Sequence, residues 1–367
     1  MGGETPRRRL LGVLAASPLA ALLPADMFAK KGNKKHGKGK GKKRIFCLNG
    51  VDITTKKKRK KQRLRKQGAV RGRCSGNCTP VCPVGACGGT DGCGGVCGCG
   101  SGSTCLNGTC QTCSVTCTGT PAECGSALQA ALTSASAGDT VLVCPGRYQS
   151  PAGTGFTVLN GITLQGAGRG DNPAIDTILD AANQTNTTVI ISVAAAPVTF
   201  SGLRVTGGNG PGAGGIVMTA QLHTIQSCAI VNNTGQGAGA LATTGPLLVM
   251  DSLISGNTGG VGASGAITFT FISSIASTNS MIENTEITGN AGDAFGGILM
   301  NTGVSSTHTL TVSNGSKITG NTMTATVGDR AGGIGWNGVG ASSITVTDTT
   351  ISGNTSPQCL NATGCSV

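Results

Sequence analysis

Between residues 227 and 355 the apolar positions recur in a fixed phrase, a small residue two places before Ile and an Asn three places after it, found over residues 228–234, 252–258, 285–291, 316–322 and 349–355. The isoleucines Ile230, Ile254, Ile287, Ile318 and Ile351 are spaced 24, 33, 31 and 33 residues apart. A period of that size predicts a solenoid whose units stack on one continuous core. Two further apolar runs precede each phrase: one at Ile216, Leu241, Ile267, Ile298 and Ile334, the other ending at Ile225, Val249, Ile282, Val312 and Val346. Runs of three to five residues bounded by Gly, Asn, Ser and Asp are too short for helices, and they predict three strands and three turns per coil.

Superposing the isoleucines aligns their neighbours. Asn233, Asn257, Asn290, Asn321 and Asn354 share a column, which predicts an internal amide ladder with the left-handed turn at the Asn itself. The residue before each Ile is mixed and reads as outward, making Glu286 and Lys317 neighbours on adjacent coils. Asp251 and Asp348 share a turn column with Ser227 and Asn284, and Cys228 stands where other coils carry Ser252, Thr285, Ser316 and Thr349. Cys228 is therefore read as a small buried residue and not as a nucleophile.

The repeats, together with residues 124–148 and 162–168 upstream, resemble the right-handed parallel β-helix, the pectin-lyase-like fold, in its secreted bacterial repeat form. The resemblance covers about residues 123–355 and implies an all-β solenoid with an N-terminal capping helix. A helix is expected over 122–137, with Leu128, Ala131, Leu132 and Ala135 on one face, Ser126 or Gly125 as cap and Gly138 as terminator. The fold carries lyases, hydrolases, adhesins and inert spacers alike, so it does not name an activity.

Composition suits this reading. With 62 Gly, 2% aromatic and 12% charged residues in 367, the chain is a poor match to an ordinary globular core, whereas a narrow coil with Gly- and Asn-rich turns accommodates it. Charge divides the chain further: residues 1–121 hold 23 Lys and Arg against 4 Asp and Glu, and residues 122–367 hold 5 against 11. Residues 1–29 read as an export signal of twin-arginine type, with cleavage near Ala29 and an apolar stretch too short to span a bilayer. Residues 30–73 read as a disordered basic arm facing an anionic cell-wall polymer, lipid head groups or extracellular nucleic acid. Residues 74–117 crowd 11 cysteines into a disulfide-stapled module. Its only C-x2-C pair is Cys110 with Cys113, so zinc is the weaker reading. The odd count leaves Cys47 as an outside partner. In the solenoid, residues 122–367, pairs Cys124–Cys144 and Cys359–Cys365 are expected.

Catalytic groups are sparse. Asp176 and Asp180 lie four apart with Arg204 a few strands on, the one enzymatic constellation; a lyase of this fold would add calcium. His223 and His308 precede strand runs and read as local hydrogen-bonding residues. Trp336 falls in phase with Ile334, which turns it toward the core rather than outward as a sugar platform. The expectation is an exported, monomeric, non-catalytic surface rod without a transmembrane span or cofactor, meeting an anionic wall polymer or polysaccharide; the alternative is a polysaccharide lyase or glycoside hydrolase.

Overall fold

The computed structural model describes residues 43–48, 51–67, 69–71, 82, 84–85, 87–89, 97–106, 108–191, 196–219, 221–271, 278–303, 307–326, 328–338 and 341–365. The signal reading over 1–29 lies outside them. From Thr140 onward the chain is a parallel β-helix. Its first wall has eight strands, from Gly146–Gln149 to Thr350–Ser352; the second has eight, from Phe156–Val158 to Cys359–Leu360; the third has nine, from Thr140–Leu142 to Ala362–Thr363. At about 4.8 Å per strand, eight rungs make a rod about 35 Å long.

The isoleucine column is one file in the first wall. Tyr148, Leu179, Val205, Ile230, Ile254, Ile287, Ile318 and Ile351 are paired rung to rung. All but the last are fully buried, and each such residue contributes roughly 1.5–3 kcal/mol of hydrophobic stabilisation. The other two apolar runs line up in the same way, Leu241 on Ile267 on Ile298 on Ile334 and Val249 on Ile282 on Val312 on Val346. A fourth, five-stranded ribbon of two-residue strands, such as Thr234–Gly235 and Thr258–Gly259, runs beside the Asn turn. Three strands per coil were expected. The fourth escapes a hydrophobic reading because its Thr and Gly pair through backbone alone. Close stacking there demands glycine: a Cβ on Gly265 would collide with the backbone of Gly296 and Ala291.

The amide ladder is continuous. The Oδ1 of Asn257, Asn290, Asn321 and Asn354 each accepts from the backbone N–H and the Nδ2 of the Asn one coil earlier, at 2.9–3.0 Å. Gln358 closes the file by accepting from Asn354 N and Nδ2 at 3.3 and 3.2 Å. The left-handed residue is not the ladder Asn but its predecessor, Asn232 at φ 56° and Gly256, Gly289, Gly320 and Gly353 at φ 62–65°. The ladder amides are thereby freed to point inward. A second file of side-chain oxygens runs alongside: Cys228 N, Ser252 N and Thr285 N donate to the hydroxyls of Ser252, Thr285 and Ser316 at 3.1–3.3 Å. Cys228 tops this file, its sulfur facing the backbone N–H groups of Gly202 and Leu203 on the coil before, and among the described residues it is the free, buried cysteine; burial pushes its thiol up to about 12 against those weaker bonds. The turn column carrying Asp251 and Asp348 is left-handed throughout, from φ 43° at Asn284 to 55° at Asn314.

The third wall buries His223 completely. Its Nδ1 accepts from Val198 N at 3.1 Å and its Nε2 lies 3.1 Å from Thr219 O. Burial pushes its pKa below the ordinary 6.5, and a weaker bond to the Thr219 carbonyl pushes back. The unfolded imidazole takes a proton near pH 6.5 and the folded one resists, so this residue's share of stability is complete above that pH and lost as pH falls below it. The thermal midpoint should therefore hold from about pH 8 to 7 and drop below about 6.5. His223→Gln should flatten that drop; an unchanged acid slope would exclude the ring as its source.

The ends differ from expectation. The capping helix spans Pro121–Ser134, and Thr120, not Ser126 or Gly125, is its cap: Thr120 Oγ1 accepts from Glu123 N at 3.3 Å while Glu123 accepts from Thr120 N at 2.7 Å. Leu128 and Leu132 seal the first coil. Cys124 and Cys144 do not pair with each other. Residues 114–115 add along the start of the third wall, Ser114 N donating to Leu142 O at 2.7 Å and Val115 bridging Val143. This brings Cys113 to Cys144 and Cys117 to Cys124. Cys359–Cys365 forms as expected, and Cys82–Cys97, Cys87–Cys105 and Cys99–Cys110 staple the module. Six disulfides among the described residues are the chemistry of an exported or extracellular protein. The pairing suggested for Cys47 concerns a side chain outside them.

Part of the basic arm also departs from its expected disorder. Residues 30–42, 49–50, 68 and 72–73 lie outside the description, but Arg44–Leu48 and Val51–Thr55 pair antiparallel, helix α1, Lys58–Lys66, follows, and Val70–Arg71 then pairs antiparallel with the first strand. Phe46, Leu64 and Ala69, with Ile53 against them, supply a small core that charge density alone concealed. No helix among the described residues is long and apolar enough to cross a membrane.

Candidate functional site: the charged outer face of the first wall

Because strand residues alternate, the inward file of Tyr148 to Ile351 leaves an outward column of Arg147, Ile178, Arg204, Ala229, Leu253, Glu286, Lys317 and Thr350. A loop over residues 166–176 crosses the outside of this wall. Asp171 in that loop accepts from Arg147 Nη2 at 3.2 Å and lies 3.6 Å from Arg204 Nε. Asp180 accepts from Arg147 Nη1 at 2.5 Å through one oxygen and from Ala182 N at 2.7 Å through the other. Arg169 reaches further along the rod, donating through Nη1 to Asp251 O and, at 3.5 Å, to Cys228 O.

The loop is thus tied down across several coils. Asp171 is 64% exposed, so its pairs contribute only about 0–1 kcal/mol each, and the carbonyl contacts of Arg169 act on top of them. Beyond the loop lies an open groove of about 500 Å³, edged by Arg169, Arg204, Asp251, Leu253, Glu286 and Lys317. Glu286 and Lys317 are adjacent in register, as expected, but no ion pair joins them among the described residues.

Of the three site residues read from sequence, Asp180 and Arg204 are brought together through Arg147 and Asp171, in the order Asp180, Arg147, Asp171, Arg204. Asp176 is not part of the groove: its Oδ2 accepts from Asn172 N at 3.1 Å and its carboxylate fills the turn beside Gly168 and Gly170. Asp171 and Arg169 escaped the sequence reading. Their signal is an insertion, Gly168-Arg-Gly-Asp-Asn-Pro173, which has turn chemistry and no counterpart in later coils. Trp336 packs on the core and donates to Thr302 Oγ1 at 2.9 Å, which fits its inward phase.

Among the described residues, the one His/Cys/Asp/Glu group close enough to hold a metal is Cys87, Cys99 and Cys110, and each sulfur is already in a disulfide. The groove carries two carboxylates at its edge, Asp251 and Glu286. Comparison with family models, curated proteins and solved structures finds no match.

Proposed function

We propose that this is an exported, monomeric rod of the pectin-lyase-like type that holds a linear polysaccharide or anionic wall polymer along its first wall without cleaving it. The observation supporting this is where the cations stand. Residues 122–367 contain five Lys and Arg. Four of them, Arg147, Arg169, Arg204 and Lys317, occupy one face, three lining the groove. A mildly acidic rod that gathers its scarce cations over one parallel sheet and the loop crossing it has a surface suited to hydroxyl- and carboxylate-bearing chains. The carboxylates nearest the arginines are engaged in holding the loop, which favours binding over general acid or base work.

The second reading, a lyase or hydrolase, draws on the same groove, where Arg169, Arg204 and Lys317 stand beside Asp251 and Glu286. One experiment separates them. Purified protein is titrated with soluble polyuronates and neutral glycans, and the products are analysed. Retention of an acidic glycan that weakens about tenfold or more in Arg204→Ala/Lys317→Ala, without new reducing or unsaturated ends, supports the rod. New chain ends would replace it with the enzyme, and unchanged retention in the double variant would remove the site.

A further inference from the structure

We propose that the strands Arg44–Leu48, Val51–Thr55 and Val70–Arg71 with α1 form a folded platform that binds duplex DNA through the outer face of α1. This site is separate from the groove of the first wall and does not rest on its reading.

The residues carry the inference in steps. Residues 43–71 hold 12 Lys and Arg against Asp52 alone. Leu64 is 4% exposed and packs with Phe46 and Ala69, so α1 has a definite inward pole. At 3.6 residues per turn, Lys58, Arg59, Gln62, Arg63, Arg65 and Lys66 fall on the half of the helix opposite Leu64. All six are exposed, and none forms an ion pair among the described residues. Folding therefore turns a basic run into five cations on one side of a nine-residue helix, about 13 Å long, with an amide among them.

Charge geometry selects the partner. Duplex DNA carries about one negative charge per 1.7 Å along its axis, on two phosphate rows flanking a major groove about 12 Å wide that admits a helix. Cations spread over half a helix can meet both rows at once. A polyuronate or another single anionic chain offers one row and would use a narrow stripe. Single-stranded nucleic acid wants stacking rings, but Phe46, the sole aromatic residue of the platform, is fully buried. Duplex RNA has a deep, narrow major groove that excludes the helix.

The test uses the full chain and a fluorescent random-sequence DNA duplex of about 25 base pairs, with affinity read by anisotropy from 50 to 200 mM NaCl. Five phosphate contacts give a slope of about −4.5 in log K against log salt, a weakening of roughly 500-fold across that range. Arg59→Gln/Arg63→Gln/Lys66→Gln should reduce the slope to about −2. Leu64→Ser keeps every cation but removes the inward anchor and should also weaken binding at least tenfold. Arg204→Ala/Lys317→Ala should leave DNA affinity unchanged. Undiminished affinity in Leu64→Ser would overturn the platform in favour of an unstructured polycation. Equal affinity for single-stranded DNA, duplex RNA or a polyuronate at matched ionic strength would overturn the choice of partner.

Discussion

Asn290→Ala is expected to lower the stability of the rod by about 3–5 kcal/mol, far more than an exposed Asn would. The residue stands mid-ladder. Its Oδ1 accepts from Asn257 N and Nδ2, and its own Nδ2 donates to Ile254 O at 3.0 Å and Asn321 Oδ1 at 2.9 Å. Truncation strands the Asn257 N–H, takes its Asn290 partner from Ile254 O, and breaks the amide file at Asn257 Nδ2 and Asn321 Oδ1, in a site with no measurable solvent exposure. Each orphaned group costs roughly 1–3 kcal/mol, because no water can replace the lost partner. Asn354→Ala makes the comparison: this residue is 9% exposed at the end of the file and should cost less. Urea unfolding of the two variants checks the ranking. A loss at Asn290 below about 1 kcal/mol would mean that the ladder follows the coil geometry without stabilising it.

Removing the Cys113–Cys144 bond is expected to have a comparable effect. The two residues are 31 apart in sequence, and closing a loop of that length in the unfolded chain corresponds to about 3–4 kcal/mol in the chain-entropy account. The bond also fixes residues 114–115 along the third wall. Cys113→Ser/Cys144→Ser should therefore lower the thermal midpoint, raise amide exchange first in Pro121–Ser134 and the opening strand Thr140–Leu142, and increase aggregation through the uncovered edge. If exchange rose evenly along the rod, the bond would not be a local seal.

Legibility followed periodicity. The Ile file, the Asn ladder and the hydroxyl column were readable because each coil repeats them, so a side chain's orientation follows from that of its counterpart. What occurs once was hidden. The cross-pairing of Cys113 with Cys144 and Cys117 with Cys124 depends on a strand addition at Val115 that no pattern announces. Asp171 gains its place from a single loop insertion, while Asp176, equally acidic and five residues on, closes its own turn. Phe46 and Leu64 were isolated apolar residues in a basic sea, and only their contact reveals the small fold around them.

The terminal amide of Gln358 has an evolutionary corollary. Each rung of the ladder presents the same acceptor to the rung before it, so the terminator sees an identical partner whichever coil precedes it. Excising one complete unit, such as the 33 residues separating Asn257 from Asn290, would leave every amide matched. Gene duplication or deletion in whole units could thus lengthen or shorten this molecule by one strand spacing at a time, with neither terminus having to be reinvented.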